Sequence, residues 1–142
     1  MLDQERKMKW LITGGCGFIG TNLIQRLLGD DVHSIRVLDN LSVGSRQSLS
    51  SVSDFSERTV EAAGSSGSRV ELIVGDVQDP ELVSRAVEGV DAIVHLAANT
   101  GVGPSVEDPR SDCLVNVLGT FNCLEAARSH KVNRFIFASS GA

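Results

Sequence analysis

The sequence predicts a doubly wound α/β fold, a parallel sheet with helices on both faces. Short apolar runs alternate with longer amphipathic stretches, the runs close in Gly or Asp, and a glycine cluster separates the first run from the first amphipathic stretch. Such alternation packs as right-handed βαβ units. At 142 residues, 42% of them hydrophobic, the chain has the length and apolar content for one domain, residues 1–142, around one core.

A buried strand is predicted over 10–13, stopping in the glycines. Ile19, Leu23, Ile24, Leu27 and Leu28 fall at helical spacing and predict a helix over 18–28, with Gly29 as its stop. Ile35, Val37 and Leu38 form the second strand, closed by Asp39-Asn40. Serine-rich residues 42–68 predict a surface loop, inside which 54–63 form a short helix with Asp54 and Glu57 at capping-box spacing and Gly64 after it. The third strand covers 70–74 and ends at Gly75-Asp76. Asp79 is a helix N-cap and Pro80 suits the first helical position, opening a helix to about residue 88. The fourth strand covers 92–96, and a long helix covers 111–129. On that helix Leu114, Val117, Leu118, Phe121 and Leu124 share one stripe, read as core or interface. Residues 135–138 make the fifth strand, and the predicted order is 3-2-1-4-5 with the fifth strand at an edge.

Thirteen Lys and Arg against eighteen Asp and Glu leave a net charge of −5. That balance provides no basic surface for a phosphate backbone, so no nucleic-acid partner is expected. Cys16, Cys113 and Cys123 are odd in number and lack C-x-x-C spacing, which argues against a disulfide framework or a zinc site, and no metal is expected. No run approaches the roughly 18 apolar residues of a membrane span. The apolar stretch after the charged first ten residues breaks at Gly14, too soon for a signal peptide. A cytoplasmic protein without a membrane partner is the expectation. Tyrosine is absent from the chain.

Residues 13–20 read Thr-Gly-Gly-Cys-Gly-Phe-Ile-Gly, so Gly15, Gly17 and Gly20 satisfy G-x-G-x-x-G, and Gly14, Gly17 and Gly20 satisfy G-x-x-G-x-x-G. The chemistry needs glycine for the tight turn, for the approach of a pyrophosphate to the backbone, and for close packing of helix on sheet. Asp39 lies 39 − 20 = 19 residues past Gly20, at a strand end where a carboxylate accepts both ribose hydroxyls of an adenosine. Strand, glycine loop, helix, strand and acid in one unit predict a Rossmann-like dinucleotide site. A 2′-phosphate would meet a like charge at Asp39, Asn40 brings no cation, and Arg46, the nearest candidate, belongs to the loop. NAD is therefore favoured over NADP. Cys16 reads as a small filler, and His95, without a second His or an acid cluster beside it, as structural.

The glycine motif, Leu38-Asp39-Asn40-Leu41-Ser42-Val43-Gly44, Gly75-Asp76-Val77, His95-Leu96-Ala97-Ala98, Asn116-Val117-Leu118-Gly119-Thr120 and Ala138-Ser139-Ser140 fall in order along the whole chain. Together they resemble the NAD-dependent epimerase/dehydratase family, the extended short-chain dehydrogenase/reductases acting on nucleotide sugars, and most of all its UDP-hexose 4-epimerases. The resemblance implies that Gly14, Gly17, Phe18, Ile19 and Gly20 hold the pyrophosphate, and that Asp39, Asn40, Ser42 and Gly44 take the adenosine ribose. It implies that Asp76 and Val77 flank the adenine, that Leu96, Ala97 and Ala98 line the cofactor, and that Asn116 steadies that loop. Ser139 would face the nicotinamide, and Ser140 matches the catalytic serine or threonine that hydrogen-bonds the sugar hydroxyl.

The family's reaction also needs a Tyr-x-x-x-Lys pair beyond the fifth strand, where the tyrosine acts as base. With no tyrosine present, the expectation is the NAD-binding N-terminal portion of a nucleotide-sugar epimerase, truncated after the fifth strand, without its substrate domain and inactive alone. The alternatives are a non-catalytic dinucleotide-binding regulatory module, or a dehydratase or reductase of the same family. Dehydratases usually carry Thr-Asp-Glu where this chain has Ser140-Gly141-Ala142, which favours the epimerase. An unpaired apolar fifth strand predicts a homo-oligomer.

Overall fold

The computed structural model describes residues 7–30, 33–63 and 67–139. In chain order the elements are β1 (Met8–Thr13), α1 (Phe18–Leu28), β2 (His33–Asp39), α2 (Arg46–Ser50), β3 (Ser56–Glu57), β4 (Val70–Val74), α3 (Pro80–Val87), β5 (Ala92–His95), α4 (Val102–Glu107), α5 (Pro109–Cys113), α6 (Thr120–Ser129) and β6 (Phe135–Phe137). All strand pairs are parallel, in the order β3-β4-β2-β1-β5-β6. The five longer strands thus take the predicted order 3-2-1-4-5, and the sheet gains a two-residue strand on its far edge.

Alternation within the strands builds two cores, one on each face of the sheet. Leu11, Leu38, Ile73 and Ile93 point to the side covered by α3 and α6. Their neighbours Ile12, Val37, Leu72 and Val94 point to the other side, where Ile24 of α1 and Leu49 of α2 meet them. Register then levels the carboxyl ends: Thr13 pairs with Leu38 on one side and His95 on the other, and His95 pairs with Phe137.

Several sequence expectations need correction. Residues 54–63 are not a helix. Ser56 and Glu57 pair with Glu71 and Leu72 of β4, the Arg58 amide donates to the Leu72 carbonyl at 2.8 Å, and only a 3₁₀ turn (Val60–Ala62) follows. A short isolated helix is marginal in water, whereas the open edge of β4 offers backbone partners at once. Gly64 lies outside the described residues. The serine-rich loop is also more ordered than predicted. Ser45 caps α2 by accepting from the Ser48 amide, and Leu49 is fully buried.

The long helix starts at α5 and runs through a π-helical segment (Leu114–Gly119) into α6, with α4 unforeseen before it. Its packed face is Gly119, Asn122, Cys123, Ala126 and Ala127, small residues that let it approach the sheet. The large stripe faces outward: Val117 is 64% exposed, Phe121 58% and Leu124 47%. These side chains do share one stripe, as their helical spacing predicts, but the face packed inward is the one built of small residues, which leaves the large stripe to the interface alternative. Ile19, counted on the apolar stripe of α1, is exposed as well.

Among the described residues, no helix is long and apolar enough to cross a membrane, and no three His, Cys, Asp or Glu side chains gather as a metal site.

Candidate functional site

The levelled ends of β1, β2, β4 and β5 open into a cleft of about 390 Å³. Its lining includes Gly14, Gly17, Phe18, Ile19 and Gly20 after β1; Asp39, Asn40, Ser42 and Gly44 after β2; Asp76 and Val77 after β4; and Leu96, Ala97 and Ala98 after β5. Carboxyl ends of parallel strands are where open α/β sheets bind ligands. Leu38, Val43, Gly75 and Ala138 line it too, motif residues assigned no site role from the sequence, as do Asn99, Thr100 and Val115, which lie outside the motifs. Asn99 and Thr100 are visible only as residues following a strand end, and Val115 reaches the cleft from the π segment, which has no sequence signature. Asn116 and Ser139 do not line the cleft, and Ser140 lies outside the described residues.

The glycine turn is shaped by contact. Gly14 has φ 68° and donates its amide to the Leu38 carbonyl at 2.8 Å; a Cβ there would stand 2.7 Å from the Ala97 nitrogen. At Gly20 a Cβ would come within 2.5 Å of the Gly15 Cα, so the turn closes onto the helix only through glycine. The N-cap of α1 is Gly17, which has no side chain to offer, and the first turn carries no acid. The first-turn amides of α1 are therefore uncapped, and the positive end of its dipole borders the cleft.

Asp39 ties this turn to β2. It is 7% exposed; Oδ2 accepts from the Cys16 amide at 2.9 Å and Oδ1 from the Leu41 amide at 2.8 Å. The second bond holds Leu41 at φ 59°, a left-handed conformation rare for a branched side chain. Each carboxylate oxygen keeps a further acceptor site. Asn40 donates to Asp76 Oδ2 at 2.9 Å and accepts from the Ser42 amide at 3.0 Å. Asp76 Oδ1 takes the Gln78 amide at 2.9 Å. Burial pushes the Asp76 carboxyl up, but the Gln78 and Asn40 donors outweigh it and leave it below the usual carboxylate range. Cys16 is buried, and desolvation, then the Asp39 charge, push its thiol up to about 12, which makes it a filler without nucleophilic character.

Behind the cleft a buried network joins β1, β5 and α6. Thr120 Oγ1 donates to the Asn116 carbonyl at 2.7 Å and so accepts from His95 Nε2 at 3.0 Å. His95 Nδ1 is then the acceptor for Thr13 Oγ1 at 2.7 Å. The Thr13 oxygen in turn accepts from the Leu96 and Ala97 amides, each at 3.2 Å. Burial lowers the pKa of His95 to about 4, so it works as a neutral strut. Asn116 accepts from the Asn99 amide at 2.8 Å, donates to the Asn99 carbonyl at 3.0 Å, and donates to Asp112 at 3.1 Å. That clasp fixes the cleft wall at Asn99 from outside the cleft.

Comparison with known proteins follows the same geometry. A family model described as the NAD dependent epimerase/dehydratase family matches residues 10–142. A dTDP-glucose 4,6-dehydratase of Mycolicibacterium smegmatis is 41% identical over 127 residues, covering 88% of this chain and 34% of that protein. A UDP-glucose 4-epimerase of the same organism is 37% identical over 135 residues, covering 94% and 39%. Among solved structures, the UDP-glucose 4-epimerase of Thermus thermophilus, in complex with NAD, superposes with a TM-score of 0.76 at 36% identity, over 94% of this chain and 38% of that one. The chain thus spans between a third and two fifths of the length of these relatives.

Proposed function

The chain belongs to the NAD dependent epimerase/dehydratase family, and from that premise we propose that its 142 residues are the NAD-binding portion of a nucleotide-sugar epimerase. The observation that carries this reading is the uncapped first turn of α1 opening beside the Asp39 carboxylate in one cleft. An anion fits the first feature and a diol the second, as a dinucleotide requires.

In this reading the amides around Gly17, Phe18, Ile19 and Gly20 hold the pyrophosphate, with Gly14 leaving room for it. Asp39 accepts from the adenosine ribose on the acceptor sites its own backbone bonds leave unused, beside Asn40, Ser42 and Gly44. Asp76 and Val77 border the adenine, while Leu96, Ala97 and Ala98 line the nicotinamide side and exclude water. Asn116 acts at one remove through Asn99, and Ser139 and Ser140 are assigned by family resemblance alone. Bound NAD would supply the acceptor and donor of a hydride at a sugar carbon. The base that removes the hydroxyl proton is not among these residues, since they include no tyrosine. Sugar recognition belongs to further residues of the kind the longer relatives possess. A 4,6-dehydratase is the second reading, favoured by the 41% identity to one such enzyme against 37% to the epimerase.

Calorimetric titration of the chain with NAD tests the proposal. Saturable one-to-one binding is expected, and absence of binding would overturn it. UDP-glucose and dTDP-glucose should both pass unchanged through the NAD-loaded chain.

A further inference from the structure

We propose that Glu57 is a specificity-determining residue of the cleft, occupying the Arg46 guanidinium so that it does not serve a cofactor 2′-phosphate. This rests on the dinucleotide reading above and deepens it.

Arg46 sits at the rim on the Asp39 side. The Cys16 amide is bonded to Asp39, and Gly44 lies so close to Cys16 that a Cβ would stand 2.4 Å from its carbonyl carbon. Arg46 opens α2 two residues later, behind its Ser45 cap. Among the described residues that line the cleft, Asp39 and Asp76 are charged and neither Lys nor Arg occurs. Arg46 is the first cation in the chain after Asp39, two residues past the cleft-lining Gly44, yet it is engaged elsewhere. Its Nε donates to Glu57 Oε2 at 2.6 Å and its Nη2 to Glu57 Oε1 at 2.8 Å, the two-point fork that guanidinium makes with carboxylates and phosphates alike. Glu57 is held from the backbone, because its strand pairs it with Leu72 of β4. A 2′-phosphate arriving here would face Asp39, and it would have to displace a carboxylate that the sheet keeps in place. The short β3 strand, which sequence periodicity misses, therefore has a chemical consequence at the cleft.

The pair is about half exposed on both sides, Arg46 53% and Glu57 43%, so its effect is a graded preference rather than an absolute bar. The test is titration of the 142-residue chain and its variants with NAD and with NADP, with circular dichroism to verify folding. In Glu57→Gln the NADP-to-NAD ratio of Kd values should fall about three- to tenfold, and the fall should shrink in 0.5 M salt as the freed charge is screened. Arg46→Ala alone should leave the ratio within about twofold, because the cation is already occupied. The double variant should return the ratio to that of the parent chain. A parent chain that takes up neither dinucleotide overturns the cleft reading and this proposal with it. NAD uptake with an unchanged ratio in Glu57→Gln, or an equal change in the double variant, overturns this proposal alone.

Discussion

Thr13 Oγ1 donates to His95 Nδ1 across 2.7 Å, and the same oxygen collects the amides of Leu96 and Ala97. One hydroxyl therefore aligns the end of β1 with the loop that leaves β5, provided the imidazole stays neutral. In the unfolded chain this histidine takes a proton near its ordinary 6.5, while burial in the fold delays protonation to about 4. Between those values the unfolded state binds more protons, so stability is fully present above pH 6.5 and is lost as the pH falls toward 4. The loss is on the order of 3 kcal/mol. Urea unfolding of the parent and of His95→Asn at pH 7.5 and pH 4.5 isolates it: the parent should lose more stability than the variant. Equal losses would remove His95 from the pH dependence.

Gly14→Ala should be costly for two reasons. Its φ of 68° strains any L side chain by roughly 1–2 kcal/mol, and the added Cβ would press on the Ala97 backbone at 2.7 Å. The expected result is a clear drop in the unfolding midpoint together with loss of saturable NAD binding. Unchanged titration would mean that the turn does not shape the ligand site.

Asp39→Ala leaves the buried Cys16 amide without its acceptor, at a cost of about 1–3 kcal/mol, and also frees the half-buried Leu41 amide. Asp39→Asn retains one carbonyl oxygen but loses the charge, so it should be the more stable variant. NAD affinity should fall at least about tenfold in both if the carboxylate serves the ribose as well as the backbone. A stable Asp39→Asn with parental NAD affinity would assign the residue to backbone support alone.

Leu118, Phe121 and Leu124 on α6 and its approach, with Ile136 and Phe137 on β6, present large exposed apolar side chains. Such surface next to an open strand edge associates. Sedimentation velocity at micromolar concentration should show dimers or larger species. Phe121→Glu combined with Phe137→Glu should shift them to monomer, with the far-ultraviolet spectrum unchanged. A monomeric parent chain would contradict the prediction.

What was legible in the sequence was local. Periodic apolar runs located the strands of the main sheet because alternate side chains such as Leu11 and Ile12 enter cores on opposite faces. Glycines at fixed spacing marked the turn because no other residue fits where Gly14 meets Ala97. The Asp79-Pro80 pair marked a helix start because Asp79 Oδ1 accepts from the Glu81 and Leu82 amides.

What escaped depended on partners distant in the chain. Asp54 and Glu57 carry a capping-box pattern, but the free edge of β4 draws Ser56 and Glu57 into a strand instead. The packed face of α6 is built of small residues such as Gly119 lying against Val77, and apolar size along the helix does not show which face turns inward. The sequence marks Asp39 as a ribose acceptor, and the folded chain gives its carboxylate a further task, accepting from the Cys16 and Leu41 amides. The positions of the main strands and of the glycine turn were already written in the order of the residues, because apolar periodicity and glycine spacing are properties of a few chain neighbours. Which carboxylate holds Arg46, which hydroxyls hold His95 and which face of α6 is left bare emerged only on folding, because each depends on groups that the sheet brings together.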